Sequence, residues 1–200
     1  LYIPAIIGGS TLLADGIITP PISVASSIEG LRILNEDIPT IPIVICIITA
    51  LFIIQQFGTL FVGRFFGPVM LIWFTMLAAL GANQLIENFE VFKAINPYYG
   101  YKLLVLHPGG FWVLAAVFLC TTGAEALYSD LGHCGRNNIR ISWIFVKTAL
   151  LLNYFGQGVW LLNHDGMSLE GTNPFYSIMP SWFLIAGVVI ATCAAVVASQ

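Results

Sequence analysis

Ile41-Pro42-Ile43-Val44-Ile45-Cys46-Ile47-Ile48-Thr49-Ala50-Leu51-Phe52-Ile53-Ile54-Gln55-Gln56-Phe57 is the stretch that decides the fold. It holds no charged side chain, and none occurs between Asp37 and Arg64. A helix needs about 20 largely apolar residues to cross the roughly 30 Å of hydrocarbon in a bilayer, and this run reads as one such helix. Working outward, charges act as punctuation. The stretches they separate predict spans at residues 1–28, 41–57, 65–86, 108–128, 141–162 and 180–199 of a single transmembrane domain. Asp15 interrupts the first, and Lys147 stands near the start of the fifth. The expected class is therefore an all-α integral membrane protein, a multi-span helical bundle.

Composition points the same way. Of 200 residues, 58% are hydrophobic and only 8% charged, and the mean hydropathy is +0.90. A soluble domain carries about 25% charged residues, so 7 basic and 10 acidic side chains are too few to solvate a globule of this size. That excludes an ordinary soluble enzyme and a disordered chain. A net charge of -3 excludes a basic nucleic-acid binder.

The expected connections, at residues 32–40, 55–64, 87–102, 130–140 and 163–172, carry the turn and polar residues. Arg64, Arg136, Arg140 and Lys147 belong to the second and fourth connections with the adjoining helix start, and Arg32, Lys93 and Lys102 to the others. Basic residues gather on the cytoplasmic side, so the second and fourth connections are placed there and the first helix runs outward. The start, Leu1-Tyr2-Ile3-Pro4, lacks the charged region of a signal peptide. Both ends run straight into apolar sequence, so a piece of a longer membrane protein is expected. Cys46, Cys120, Cys134 and Cys193 show no metal spacing and read as small buried hydrophobes.

Two ionisable residues fall inside spans, at a cost of about 2.5–3.5 kcal/mol each on insertion scales. Asp15, Thr19 and Ser23 recur at i, i+4 and i+8, on one face of a helix. Pro20-Pro21 interrupts this stripe, and each proline deprives the carbonyl four residues back of its donor. Carboxylate, hydroxyl and carbonyl oxygens together are what a partly dehydrated hard cation needs. The plainer alternative is a kinked helix whose hydroxyls bond to their own backbone. Glu29, further along, is either interfacial or a third carboxylate of the same system. Glu125 follows Thr122 by three residues in Thr121-Thr122-Gly123-Ala124-Glu125, a small, hydroxyl-rich stretch of the kind found where transporter helices unwind; the alternative is a helix end already in water.

Other residues read more plainly. His107, His133 and His164 fall in connections. Gly63 and Gly67 flank Arg64 and are taken as loop. Asn153-Tyr154-Phe155-Gly156-Gln157-Gly158 suggests interhelical hydrogen bonding. Tyr98, Tyr99, Trp112 and Trp182 are expected interface anchors. There is no nucleophile–base pair, phosphate loop, zinc spacing or Thr-Val-Gly-Tyr-Gly filter, so no enzyme and no pore of that kind is expected.

These residues also carry a resemblance. Ala14-Asp15-Gly16-Ile17-Ile18-Thr19-Pro20-Pro21-Ile22-Ser23-Val24 with Ser27-Ile28-Glu29-Gly30-Leu31 resembles the third-helix signature of the KUP/HAK/KT potassium-uptake permeases. The likeness continues through Phe66-Gly67-Pro68-Val69-Met70-Leu71, Ala94-Ile95-Asn96-Pro97, Thr122-Gly123-Ala124-Glu125-Ala126-Leu127-Tyr128-Ser129-Asp130 and Leu152-Asn153-Tyr154-Phe155-Gly156-Gln157-Gly158. Pro21 is a departure, since a small residue is more usual there. The resemblance implies a five-plus-five inverted-repeat fold of the amino acid–polyamine–organocation superfamily, LeuT-like, of which these residues are helices three to eight.

It further implies K⁺ uptake by alternating access, coupled to H⁺, across the cell membrane, in bacteria the inner membrane. Thr19, Ser23, Thr122 and Glu125 would then be K⁺ ligands or their neighbours, and Asp15, Glu29 and Glu125 the carboxylates of proton coupling or cation attraction. K⁺ and H⁺ are the transported ions. Neither a cofactor nor a transition-metal site nor a nucleic-acid partner is implied, and the expected surroundings are the lipid bilayer and a homodimer built through regions outside these residues. The alternative is an amino-acid transporter on the same scaffold. It needs unwound helix ends free to hold a carboxylate, and the charges of Asp15 and Glu125 oppose one.

Overall fold

The computed structural model describes residues 2–33, 35, 37–55, 59–121, 135–169 and 171–198. Its elements are helical, and no strand occurs among the described residues. Helix α1 spans Tyr2–Ile28 and runs into a 3-10 turn, Glu29–Ile33; α2 is Thr40–Gln55 and α3 Thr59–Leu85. A second 3-10 turn, Phe89–Ile95, leads to α4 at Pro97–Leu106 and α5 at Gly110–Thr121. Helix α6 is Arg136–Asn163, α7 the single turn Pro174–Ser177, and α8 Leu184–Ala198. The chain forms two compact units, Leu1–Leu80 with Gly166–Gln200, and Gly81–Asp165.

Tyr2–Ile33 and Phe66–Leu85 are long and apolar enough to cross a bilayer, and Thr40–Ile53 and Leu184–Ala198 are shorter apolar helices. Helix α6, 28 residues long, reaches about 42 Å at 1.5 Å per residue, with Lys147, Asn153 and Gln157 interrupting its apolar run. Lys147 Nζ lies 4.9 Å from the Trp143 ring centroid, a cation–π contact one turn away that eases the placement of this charge among apolar neighbours.

In the first unit α1 packs on α8 and α2. Helix α8 presents Leu184, Gly187, Val188, Ala191 and Ala194 as a buried stripe, spaced as one helix face requires. Among the described residues of α1, Val24, Ser27 and Ile28 are buried. Met76, Tyr176, Met179, Leu184 and Val188 form the core, and Trp73 meets Phe175 edge-on at 5.6 Å between centroids. Much of the remaining surface is apolar: Ile3, Leu13, Ile17 and Ile22 of α1 are all more than 60% exposed. An apolar face of this extent is unfavourable in water and suits lipid.

In the second unit Leu85, Val91 and Val159 form the core, with Leu152 and Phe155 against it. Gly81 and Gly156 bring the last turn of α3 and the middle of α6 into backbone contact: a Cβ on Gly156 would stand 2.6 Å from Gly81 Cα, and one on Gly81 would overlap the Leu152 carbonyl.

Several expectations change. Residues 59–64 are helical, so Gly63 and Gly67 lie within α3 and not in a loop. A Cβ on Gly67 would meet nothing within 4 Å. The expected connection at 87–102 is largely structured. Asn88 Oδ1 accepts from Glu90 N at 2.8 Å and Asn96 Oδ1 from Tyr98 N at 3.0 Å, and Pro97 occupies the first turn of α4, where its missing N–H costs nothing. Cys46 and Cys193 are exposed rather than buried; a small apolar residue on a lipid-facing helix has no need of a protein core. The interface-anchor residues Tyr98, Tyr99, Trp112 and Trp182 are all exposed.

Candidate functional site

The polar stripe of α1 is set by local geometry. Residues i and i+4 share a helix face, and Thr19 Oγ1 donates to Asp15 Oδ1 at 2.6 Å. Both side chains are exposed. This pairing distinguishes Thr19 from the other threonines on the apolar helices: Thr11, Thr49, Thr75 and Thr148 each donate back to a carbonyl of their own helix. The plain kinked-helix alternative therefore does not describe Thr19, whose proton goes to a carboxylate. A hydroxyl that donates to an anion presents a more negative oxygen to any further partner.

Pro20 and Pro21 lie inside α1 and supply no N–H, so the carbonyls of Gly16 and Ile17 lose their helical donors. Ser23, half-buried, forms no hydrogen bond among the described residues. Asp15, the Gly16 and Ile17 carbonyls, Thr19 and Ser23 thus offer oxygen along about 12 Å of one helix, two turns and a fraction.

Glu29 opens the 3-10 turn after α1 and is exposed. It does not join the Asp15–Thr19 pair. Its Oε2 accepts from Asn173 Nδ2 at 3.3 Å, while Asn173 Oδ1 caps α7 through Phe175 N at 3.1 Å. Tyr176, 3% exposed, sends its hydroxyl to the Ser27 carbonyl at 2.5 Å. Burial pushes the Tyr176 phenol well above the ordinary tyrosine value, and the Glu29 charge adds to the shift. The end of α1 and the turn that follows it are therefore in contact with residues 173–176.

Thr122 and Glu125 lie outside the described residues. Asn153 is 4% exposed, and its Oδ1 has no hydrogen-bond partner among the described residues; beside it Gly81 and Gly156 make a close backbone approach. His164 ends α6, its Nδ1 2.8 Å from the Trp160 carbonyl and its ring stacked on Trp160 at 4.1 Å. Because a carbonyl only accepts, Nδ1 carries a proton. Glu90 and Lys93 pair at 2.7 Å on the surface: the lysine holds the carboxyl below its ordinary value and is itself raised in turn. Among the described residues no group of three or more His, Cys, Asp or Glu side chains is placed to hold a metal ion.

The i, i+4 spacing put Asp15 and Thr19 on one face, and they are hydrogen-bonded there; it gave no sign of the contacts of Tyr176, Asn173 and Thr192. Their partners at the end of α1 and in the turn after it are some 150 residues away in the chain, which no local spacing reveals.

Long apolar helices, one of them carrying a carboxylate–hydroxyl pair amid apolar neighbours, define an integral membrane protein. The chain belongs to the family described as the K⁺ potassium transporter integral membrane domain, which matches residues 1–200. It is 66% identical over 202 residues to the probable potassium transport system protein Kup of Cytophaga hutchinsonii, covering 98% of this chain and 31% of the relative. The corresponding protein of Flavobacterium psychrophilum is also 66% identical, over 205 residues (100% of this chain, 31% of the relative). That of Clostridium perfringens is 52% identical over 215 residues, covering 100% of this chain and 33% of the relative. The chain thus spans about a third of the length of these curated relatives. Each is named as a transport protein and not as an enzyme. No solved structure shows a significant match to the chain.

Proposed function

We propose that this chain is part of a K⁺ uptake transporter of the cell membrane, the bacterial inner membrane, and that the Asp15–Thr19–Ser23 face of α1 contributes to its cation site. The observation that carries the reading is the 2.6 Å bond from Thr19 to Asp15 in the middle of an apolar helix. A charge in that position marks an ion or proton pathway by default. K⁺ gives up its water only to a shell of oxygens, as carbonyl rings do in potassium pores. The Thr19 and Ser23 hydroxyls and the two carbonyls freed by Pro20-Pro21 are part of such a shell, and Thr122 and Glu125 of the fourth expected span are the further ligands or ligand neighbours of this proposal.

Asp15 and Glu125, with Glu29 toward the membrane surface, are the carboxylates that couple K⁺ to H⁺. A bound cation and a bound proton change each other's affinity by the same factor. Either can then bias the protein between inward-open and outward-open states, which is alternating access in a five-plus-five inverted-repeat fold. K⁺ and H⁺ are the only small-molecule partners, no cofactor takes part, and a homodimer forms through regions outside these residues. The amino-acid alternative draws no support from the relatives, whose names are of potassium transport.

The test is rubidium uptake by the full-length protein, in cells lacking other K⁺ uptake, against external pH. Uptake by the wild type rises as external pH falls. Asp15→Asn flattens that profile, and Glu125→Gln abolishes uptake at normal membrane abundance. Wild-type uptake and pH dependence in both variants would overturn the proposal.

A further inference from the structure

Resting on the reading of Ser23 as a cation ligand, we infer that Tyr176 is a positioning residue for the cation site, acting through the last turn of α1. The prolines remove two rungs of the α1 ladder, those that would reach the Gly16 and Ile17 carbonyls, so the helix is least braced over residues 16–21, between Asp15 and Ser23. The direction of the C-terminal half of the helix, residues 22–28, is therefore less firmly fixed by its own backbone bonds. Contacts from outside the helix add to what sets it.

Among the described residues, the side-chain hydrogen bonds that reach the end of that half from other elements come from residues 173–192. Carbonyls of a helix's last turn have no intrahelical donor. Tyr176 supplies one, donating its hydroxyl to Ser27 O at 2.5 Å, with Ser26 O at 3.4 Å. Its ring is seated against Gly30: a Cβ there would stand 2.6 Å from Tyr176 Cδ1 and 2.6 Å from Val188 Cγ2, so only glycine admits the ring at this depth. The Ser27 hydroxyl shares its one proton between Val24 O at 2.7 Å and Thr192 Oγ1 at 3.3 Å, and Thr192 in turn donates to Val188 O at 2.8 Å. Asn173 ties Glu29. Ser27 is one turn beyond Ser23 on the same face, so a shift of Ser27 moves Ser23 with it, while Asp15, on the far side of the proline break, stays.

The experiment is a double-mutant cycle on rubidium uptake by the full-length protein, reading half-saturation and maximal rate per transporter in the membrane. Tyr176→Phe keeps the ring and removes the bond. It is expected to raise the rubidium half-saturation at least three-fold with the maximal rate changed less than two-fold, a split that mere loss of folded protein does not produce. Ser23→Ala raises half-saturation on its own. The Tyr176→Phe, Ser23→Ala double variant matches the worse single variant, because both changes remove one ligand. Independent multiplication of the two effects, or a wild-type half-saturation in Tyr176→Phe beside a shifted Ser23→Ala, overturns the assignment of Tyr176 alone. A wild-type half-saturation in Ser23→Ala overturns the reading of Ser23 as a ligand, and the role of Tyr176 with it. If Tyr176→Phe fails to reach the membrane, Thr192→Val, which removes the other tie on Ser27, runs the same cycle with the same two outcomes.

Discussion

Gly156→Ala sets two effects of opposite sign against each other. In an unconstrained helix, alanine in place of glycine is stabilising by about 0.8–1 kcal/mol. At Gly156 the new methyl would stand 2.6 Å from Gly81 Cα and 2.8 Å from Gly81 O, against an ordinary carbon contact of about 3.5–4.0 Å. The obstacle is backbone, which cannot rotate away as a side chain can. The last turn of α3 and the middle of α6 must part by about 1 Å, loosening the Leu85–Val91–Val159 core. Overpacking of this kind costs about 1–3 kcal/mol. Gly156 lies at the upper end of that range, so packing wins and the net loss is about 1–2 kcal/mol. Gly100→Ala is the control, since nothing lies within 4 Å of a Cβ there and α4 buries no residue; it gains up to about 1 kcal/mol. Equilibrium unfolding of the full-length protein in detergent reads both. Gly156→Ala at least as stable as Gly100→Ala would refute the backbone contact between α3 and α6.

Two other outcomes follow from single contacts. Asn96→Ala removes the cap on α4 at a cost of about 1 kcal/mol, seen as faster amide exchange confined to residues 97–106; unchanged exchange contradicts the cap. Tyr176 is held neutral in the folded protein, while an unfolded tyrosine ionises near pH 10. Its contribution is therefore fully present below about pH 10 and declines above it by up to about 1.4 kcal/mol per pH unit. Comparing unfolding at pH 8 and pH 11, the wild type should lose more stability than Tyr176→Phe, and equal losses would contradict the burial of the phenol.

The parts of the structure legible in the sequence were those set by neighbours in the chain. Asp15 and Thr19 are four residues apart, and helix geometry alone brings them together. The uncharged run from Ile41 reads directly as helix because nothing in it favours a turn. Charge as punctuation failed at Arg64, which lies within the first turns of α3 and not in a connection. It failed again at 87–102, where Asn96-Pro97 carries a cap and a first-turn proline, a signal present in the sequence but read as a break. Asn173-Pro174 repeats it ahead of α7. What no reading of spacing could supply is the docking of residues 173–192 on the end of α1. Gly30 looks like any loop glycine until the Tyr176 ring is seen against it.

The most direct test of the account is the rubidium half-saturation of Thr19→Val in the full-length protein. Valine keeps the shape of threonine and removes the oxygen. Loss of one hydrogen-bonding or ligating group to an ion is worth about 1.5–3 kcal/mol, which is roughly a 10- to 150-fold rise in half-saturation at 1.4 kcal/mol per decade. A rise in that range at unchanged membrane abundance is the predicted result; a wild-type half-saturation in Thr19→Val would contradict the placement of the cation on α1.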